Sequence, residues 1–594
     1  MKGFFKTFFA ALLAMIVVSL LPIFILGAVF SSALSSQESV VVEDGSVLMI
    51  DFAENIYDSP RMPAFDVSNL SSGTLEMTYS LTMLQVIDAL EAAAADPKIK
   101  ALYIHYEGPG NVEGTTHMEE LRSLVAEFRQ KSGKPVVAYG ETFSQGAYWL
   151  SSLADEIYIN PEGSMDWRGF ASQVLFYKGL LDKAGLDVQI VRHGTYKSAV
   201  EPYIATQMSA ANRLQTETMV NSLWGVVLED VARARDLSPH YINEAASNLS
   251  IDSPEAALGY GLVDGILYED EVEARLATLV GRESFDEECV VTLGEYISTL
   301  VPTKISHNKV AVIYADGEIV DGEGAEGIVG GATTAEQVRR AAEDKGVKAV
   351  VLRVNSPGGS ALASEVMWRE LSKLATEKPL VVSMGNYAAS GGYYISSPAA
   401  TIISGRTTLT GSIGVFGMIL SAGDALKSLG VTADVAKSNP HGDMGTMFRT
   451  LSKSELAYLQ KSVEDVYGTF VGHVSEGREM TPEAVDAVGQ GRVWCGVDAK
   501  TKGLVDDFGG LKEAIALAAE KASLGDDYRV VEILEEEDQL TALMNSLLSA
   551  SARRSIREAG ALGLSLGRYN ALQKMVSNHG SSVQARMPYD ITIH

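Results

Sequence analysis

Short apolar runs alternate along this chain with longer stretches in which apolar residues recur every three or four positions. Residues 47–52, 99–106, 135–139, 156–159 and 188–192 have the continuous apolar character of buried strands. Between them, 81–95, 119–130, 144–153 and 175–183 carry a helical period, 207–248 read as mainly helical, and 251–265 as a turn-rich close. After a linker at about 265–308 the rhythm restarts. Strands are predicted at 310–315, 347–354, 380–384 and 402–404, and helices at 334–342, 362–375 and 390–397. Strands and helices in alternation imply parallel sheets with helical crossovers, an α/β fold.

The restart is an internal duplication. Ala147-Tyr148-Trp149-Leu150-Ser151-Ser152 matches Gly392-Tyr393-Tyr394-Ile395-Ser396-Ser397 at an offset of 245. Lys134-Pro135-Val136-Val137 matches Lys378-Pro379-Leu380-Val381 at 244, and Lys100-Ala101-Leu102-Tyr103 matches Lys348-Ala349-Val350-Val351 at 248. Matches that keep their order while drifting by a few residues are those of two copies with small loop changes.

The first 30 residues add a different kind of segment. Residues 8–30 carry no charge. As a helix rising about 1.5 Å per residue they would extend roughly 35 Å, enough to cross a bilayer. They also exceed the about 7–15 apolar residues of a cleaved signal peptide. The expected organisation is therefore a cytoplasmic tip, transmembrane signal anchor and linker over 1–45. An N-terminal domain over 46–307, a C-terminal domain over 308–540 and a tail over 541–594 follow. The tail, with Arg553, Arg554 and Arg557, reads as a solvated docking helix. Lys2 and Lys6 would stay inside, leaving the body outside the cytoplasm. The net charge of −28 argues against nucleic acid as a partner. Two cysteines cannot build a disulfide framework or a zinc cluster. No metal spacing, phosphate loop or dinucleotide fingerprint is present, so neither metal nor cofactor is expected. The glycine-rich 322–331 reads as a flexible loop near a site.

Candidate chemistry centres on residues 381–397, a strand end, a tight turn and a helix start, with Ser390 at the turn before Gly391 and Gly392. A helix opening there leaves free N–H groups beside a possible nucleophile. At the offset of 245 the first copy holds Gln145 in place of Ser390. Conversely, Lys197, in a strand-to-turn segment of the first copy, falls on Gly442 of the second. Each copy thus holds one member of a pair, and a single Ser–Lys site would form where they meet. Lysine can act as a base only when neutral, and burial lowers its pKa. Tyr196, Val200, Pro202 and Tyr203 supply apolar surroundings. The glycines after Val354-Asn355-Ser356-Pro357, together with the N–H of Gly391, could hold an oxyanion. Glu107-Gly108-Pro109-Gly110 is the degraded copy of that loop. On spacing alone, Lys437 as base and a triad of Ser390 with His441 and Asp443 stay open.

Four motifs together resemble the signal peptide peptidase A family in its long bacterial form with two tandem domains. They are Asn355-Ser356-Pro357-Gly358-Gly359-Ser360, Tyr387-Ala388-Ala389-Ser390-Gly391-Gly392-Tyr393-Tyr394, Leu409-Thr410-Gly411-Ser412-Ile413-Gly414 and Tyr196-Lys197-Ser198-Ala199. The resemblance implies two ClpP/crotonase-like domains, with Ser390 as nucleophile and Lys197 as general base. It implies that Ser412 supports the lysine by a hydrogen bond and that Gly358 and Gly391 donate to the oxyanion, with Gly359 one residue away from Gly358 as the other choice. It further implies a homotetramer on the outer face of the bacterial cytoplasmic membrane that degrades cleaved signal peptides and other hydrophobic peptides. A crotonase-like acyl-CoA enzyme and a non-catalytic membrane scaffold are the competing expectations.

Overall fold

A computed structural model describes residues 40–534, apart from 53, 62–63, 67–75, 79, 107–113, 287–288 and 302–304, together with a strand at 584–586. The expected transmembrane helix at 8–30, the Glu107–Gly110 loop and the tail helix lie outside the described residues. Among the described residues no helix is long and apolar enough to cross a membrane.

The chain builds a mixed α/β body around two main sheets. In the first, six parallel strands run in the order 265–266, 156–165, 136–143, 99–106, 46–51 and 290–292. The second is ordered 493–495, 409–411, 380–389, 347–356, 309–316 and 529–532. A further strand, Thr401–Ser404, pairs with the first part of Leu380–Ala389. The central strands of both sheets are buried on both faces, which is why they read as continuous apolar runs.

Period-2 alternation ties the copies together. Along Lys309–Asp316, Ala311, Ile313 and Ala315 point into the core of the second half. Val310 and Val312 point the other way, into a core shared with helices and strands of the first. Ala349 and Val351 on Val347–Ser356 and Val381 on Leu380–Ala389 face that shared core as well. The halves therefore meet through continuous apolar packing, whose burial stabilises by about 25 cal/mol per Å².

The duplication recurs as repeated hydrogen bonds. Lys134 Nζ donates to the carbonyls of Ala93 and Asp96, and Lys378 Nζ to those of Ala341 and Asp344. Tyr148 donates to the carbonyl of Leu262 and Tyr393 to that of Leu504. Arg235 pairs with Asp264, and Arg478 with Asp506.

A third sheet belongs to neither copy alone. Its order is 328–330, 318–320, 358–360, 584–586, 415–421 and 187–193. The lysine-bearing arm of the first half, Asp187–His193, pairs antiparallel with Val415–Ser421 of the second, from Asp187 against Ser421 to His193 against Val415. The segment 433–443, which the offset sets against the lysine arm, forms no strand. The stretch 251–265 contains the helix Pro254–Gly259, opened by the Ser253 cap and Pro254 at its first position. The helix expected at 175–183 begins only at Lys178.

Candidate active site

The strand Leu380–Ala389 ends one residue before Ser390, and the helix Gly391–Ser396 begins one residue after it. Between them Ser390 takes φ 56° and ψ −112°. A non-glycine residue at positive φ is uncommon, and such strain persists only where the surroundings impose it. Here the N–H of Ser390 donates to the Gly411 carbonyl at 2.8 Å, and its carbonyl accepts the Tyr394 N–H at 2.8 Å. The Ser390 hydroxyl caps no helical N–H group. It is left for another partner.

That partner is Lys197. Its Nζ lies 2.8 Å from Ser390 Oγ, 3.0 Å from Ser412 Oγ and 3.1 Å from the Ser412 carbonyl. All three residues are completely buried. The pair forms within one chain, between positions 193 residues apart. Burial holds the Lys197 amine well below the usual lysine pKa, and no carboxylate offsets that effect. This is how a lysine becomes neutral at ordinary pH.

The lysine is held from every side. Its carbonyl accepts from Arg192 at 3.2 Å. Gln215 donates to the Tyr196 carbonyl at 3.0 Å and to Ser198 Oγ at 2.8 Å. The Tyr196 N–H donates to the Gln490 carbonyl at 2.8 Å. Gly491 matters most among the residues that sequence reasoning missed. It has φ +76°, and a Cβ there would lie 2.6 Å from Lys197 Cβ. Glycine is the residue that permits both the conformation and the approach. Its sequence signal was only a glycine in Gly489-Gln490-Gly491, an ordinary turn.

Beside the serine, Val347–Ser356 leads into the loop at Gly358, which has φ +93°. The Gly358 N–H donates to Ser356 Oγ at 3.1 Å. Gly358–Ser360 pairs antiparallel with 584–586, Gly358 opposite Arg586 and Ser360 opposite Gln584. Gln584 also pairs with Phe416. A strand of the chain's own C-terminal part thus fills the groove between the glycine loop and Val415–Ser421. The glycine-rich stretch 322–331, expected as a loop, is one only as far as 327: Ile328–Gly330 is a strand paired with Glu318–Val320, and Gly331 opens the next helix.

A model of the peptidase family S49 matches this chain twice, over 128–283 and 372–525. The first match contains Lys197 and the second Ser390. "Protease 4" of Salmonella typhi is 37% identical over 524 residues, 86% of this chain and 84% of that protein. "Protease 4" of Haemophilus influenzae is 36% identical over 487 residues, 79% of this chain and 78% of that protein. "Putative signal peptide peptidase SppA" of Enterococcus faecium is 35% identical over 213 residues, 36% of this chain and 65% of that protein. The chain belongs to peptidase family S49.

Within this S49 chain the other sequence candidates are occupied elsewhere. His441 bonds Glu455 at 3.2 Å. Asp443 is paired with Lys437 at 2.7 Å and with Arg449 at 2.6 Å. In the first copy, Gln145 closes the place that Ser390 has in the second. Its Oε1 accepts the N–H groups of Arg168 and Gly169, and its Nε2 donates to the Gly169 carbonyl. Among the described residues no cluster of three or more His, Cys, Asp or Glu side chains could hold a metal ion.

Proposed function

We propose that this S49 peptidase is a serine endopeptidase in which Ser390 is the nucleophile and Lys197 the general base. The observation that carries the reading is the 2.8 Å contact between a fully buried lysine amine and a serine hydroxyl. A neutral amine has two N–H donors and one lone pair, and three oxygens surround Nζ. The Ser412 carbonyl and Ser412 Oγ accept the two N–H groups, and the lone pair faces the Ser390 hydroxyl. On attack at a peptide carbonyl the Ser390 proton passes to Nζ. It is then delivered to the leaving amine as the acyl-enzyme forms. Water resolves that ester with Lys197 again as base. Gly358 and Gly391 supply N–H donors to the oxyanion, the former once Ser356 Oγ releases it.

The groove supports a peptide substrate. An extended peptide can add a strand between Gly358–Ser360 and Val415–Ser421, in the manner of 584–586. Cleaved signal peptides and other apolar peptides suit that mode. The uncharged stretch 8–30 would anchor the enzyme in the cytoplasmic membrane of a bacterium, with the body on the extracytoplasmic side. Two ClpP/crotonase-like domains, 46–307 and 308–540, and a homotetrameric assembly complete the reading. Leu429, Val431, Val435 and Phe448, exposed on one segment, are apolar surface available to a second copy.

The test is cleavage of an apolar peptide by the intact protein, alongside Ser390→Ala and Lys197→Met. Both variants should lose activity by at least about 1,000-fold. A fluorophosphonate should label Ser390 in the wild type. Full activity in either variant refutes the dyad. Acyl-CoA turnover without peptide cleavage would favour a crotonase-like enzyme.

A further inference from the structure

The strand that leads to Ser390 does not run straight. Its ladder with Val347–Ser356 pairs Val354 with Met384, and the next partners are Ser356 and Ala388. Gly385, Asn386 and Tyr387 therefore stand opposite Asn355 alone. A bulge of this kind re-aims the chain beyond it. Beyond it here, one strand carries Ser390 and the other enters the Gly358 loop. Side chains hold the bulge open. Asn355 Oδ1 accepts the Tyr387 N–H at 3.2 Å, and Thr408 Oγ1 donates to the Gly385 carbonyl at 2.9 Å. Asn386 turns toward the first half.

There Asn386 caps a helix to which it does not belong. The helix Thr115–Ser132 opens on Gly114, which has no side chain to cap it. Asn386 Oδ1 accepts the N–H groups of Thr116 at 2.9 Å and His117 at 3.2 Å. Its Nδ2 must then be the atom facing His117 Nδ1, at 3.0 Å, and donates to it. The ring proton accordingly sits on Nε2, which donates to Asp58 Oδ2 at 2.8 Å. Burial opposes a second proton on the ring, but the Asp58 carboxylate outweighs it and raises the His117 pKa; that proton would have to sit on Nδ1, facing the Asn386 amide.

The other oxygen of Asp58 accepts from Arg353 Nε at 2.7 Å. Arg353 also reaches Ser383 Oγ at 2.8 Å and Glu120 Oε2 at 2.6 Å. Arg353 and Asp58 are completely buried. The approach is close: a Cβ on Gly114 would overlap the Asn386 amide, and one on Gly385 would lie 2.7 Å from Asp58 Oδ2.

We propose that Asn386 and His117, backed by Asp58, are positioning residues through which the first half sets the bulge, and with it the placement of Ser390 against the Gly358 loop. The inference rests on the reading of Ser390 as nucleophile. Ser390 and Lys197 are tied to each other directly. The glycine loop sits on a different strand, and its register with Ser390 passes through the bulge. A displacement of about 1 Å at a reacting group can cost about 100-fold in rate. The lock touches neither Ser390 nor the peptide groove, so its loss should appear in kcat and not in KM.

The experiment compares wild type, Asn386→Leu, Asn386→Asp and His117→Phe for peptide cleavage, the rate of fluorophosphonate labelling at Ser390, and Tm. Asn386→Leu should lower kcat and the labelling rate by about 10–100-fold with KM within about twofold. Asn386→Asp keeps an acceptor for both N–H groups and for a protonated His117, and should return kcat to within about threefold of wild type. A folded Asn386→Leu enzyme with kcat within twofold of wild type overturns the inference, as does an aspartate variant no better than leucine. If Asn386→Leu does not fold, His117→Phe decides: kcat should fall at unchanged KM, and an unchanged kcat overturns the inference. Cleavage that survives Ser390→Ala overturns the reading of Ser390 as nucleophile as well. Cleavage abolished by Ser390→Ala but unaffected by Asn386→Leu overturns this inference alone.

Discussion

Replacing Lys197 by methionine should stabilise the protein while destroying its activity. The amine is completely buried, and burial drives its pKa down with no carboxylate to oppose it. An ordinary lysine, with a reference pKa near 10.4, gives up about 4–5 kcal/mol to become neutral at pH 7. The contacts to Ser412 Oγ, the Ser412 carbonyl and Ser390 Oγ offset part of this, at roughly 0.5–1.5 kcal/mol each. Methionine fills a similar volume and carries no such cost, so Lys197→Met should gain about 2 kcal/mol at pH 7. The pH dependence gives the sharper check. Between the depressed folded pKa and the unfolded value, the unfolded wild type holds one more proton than the folded form. Wild-type stability therefore rises with pH across that window, by up to about 1.4 kcal/mol per unit. The variant lacks this dependence, so its advantage should shrink as pH rises toward 10. Thermal unfolding of both proteins at pH 6, 7.5 and 9 measures the gap. A variant less stable than wild type, or a gap that ignores pH, would refute the account of a neutral buried amine.

Three further outcomes follow from contacts on the same elements. Gly491→Ala should abolish cleavage, because its Cβ would lie 2.6 Å from Lys197 Cβ at φ +76°; activity within tenfold of wild type would show that the lysine can shift without cost. Removing the chain from Gln584 onward should raise kcat/KM for short peptides several-fold, since it empties the strand position beside Gly358–Ser360; an unchanged rate of Ser390 labelling would mean that this strand does not compete with substrate. Arg353→Met leaves Asp58 and Glu120 as buried carboxylates without their cation. It should cost about 3–5 kcal/mol, seen as a lower denaturation midpoint, and an unshifted midpoint would place the strength of the interface in the apolar core alone.

Local pattern carried much of this protein. The strand at Ile99–Tyr106 begins and ends where its apolar run does, and the helix predicted at 362–375 is observed at Ala361–Glu377. Backbone hydrogen bonding and side-chain periodicity are short-range, so each run announces its own element. The duplication was legible because matched residues keep their order along both copies; the structure adds that Lys134 and Lys378 make equivalent bonds, to carbonyls 41 and 37 residues earlier in the chain. Comparing the copies also singled out Ser390, opposite Gln145, and Lys197, which the second copy lacks.

Long-range pairing was not legible. The strand at 415–421 and its pairing with 187–193 were not read, because an exposed strand edge accepts many partners and its own residues do not say which. The long helix Lys453–Gly477 lies outside the predicted elements, although its Ser452–Glu455 capping box is a local signal. Asn386 lies beyond the strand predicted at 380–384, in the turn that leads to Ser390, with nothing to mark it. Only the docking of the first half onto the second turned it into the cap of another helix. The sequence by itself determined the two copies, their strands and the residue types at the site. Tertiary structure alone decided that Lys197 meets Ser390, 193 residues away, within one chain, because that contact depends on which sheet edge the arm at 187–193 joins.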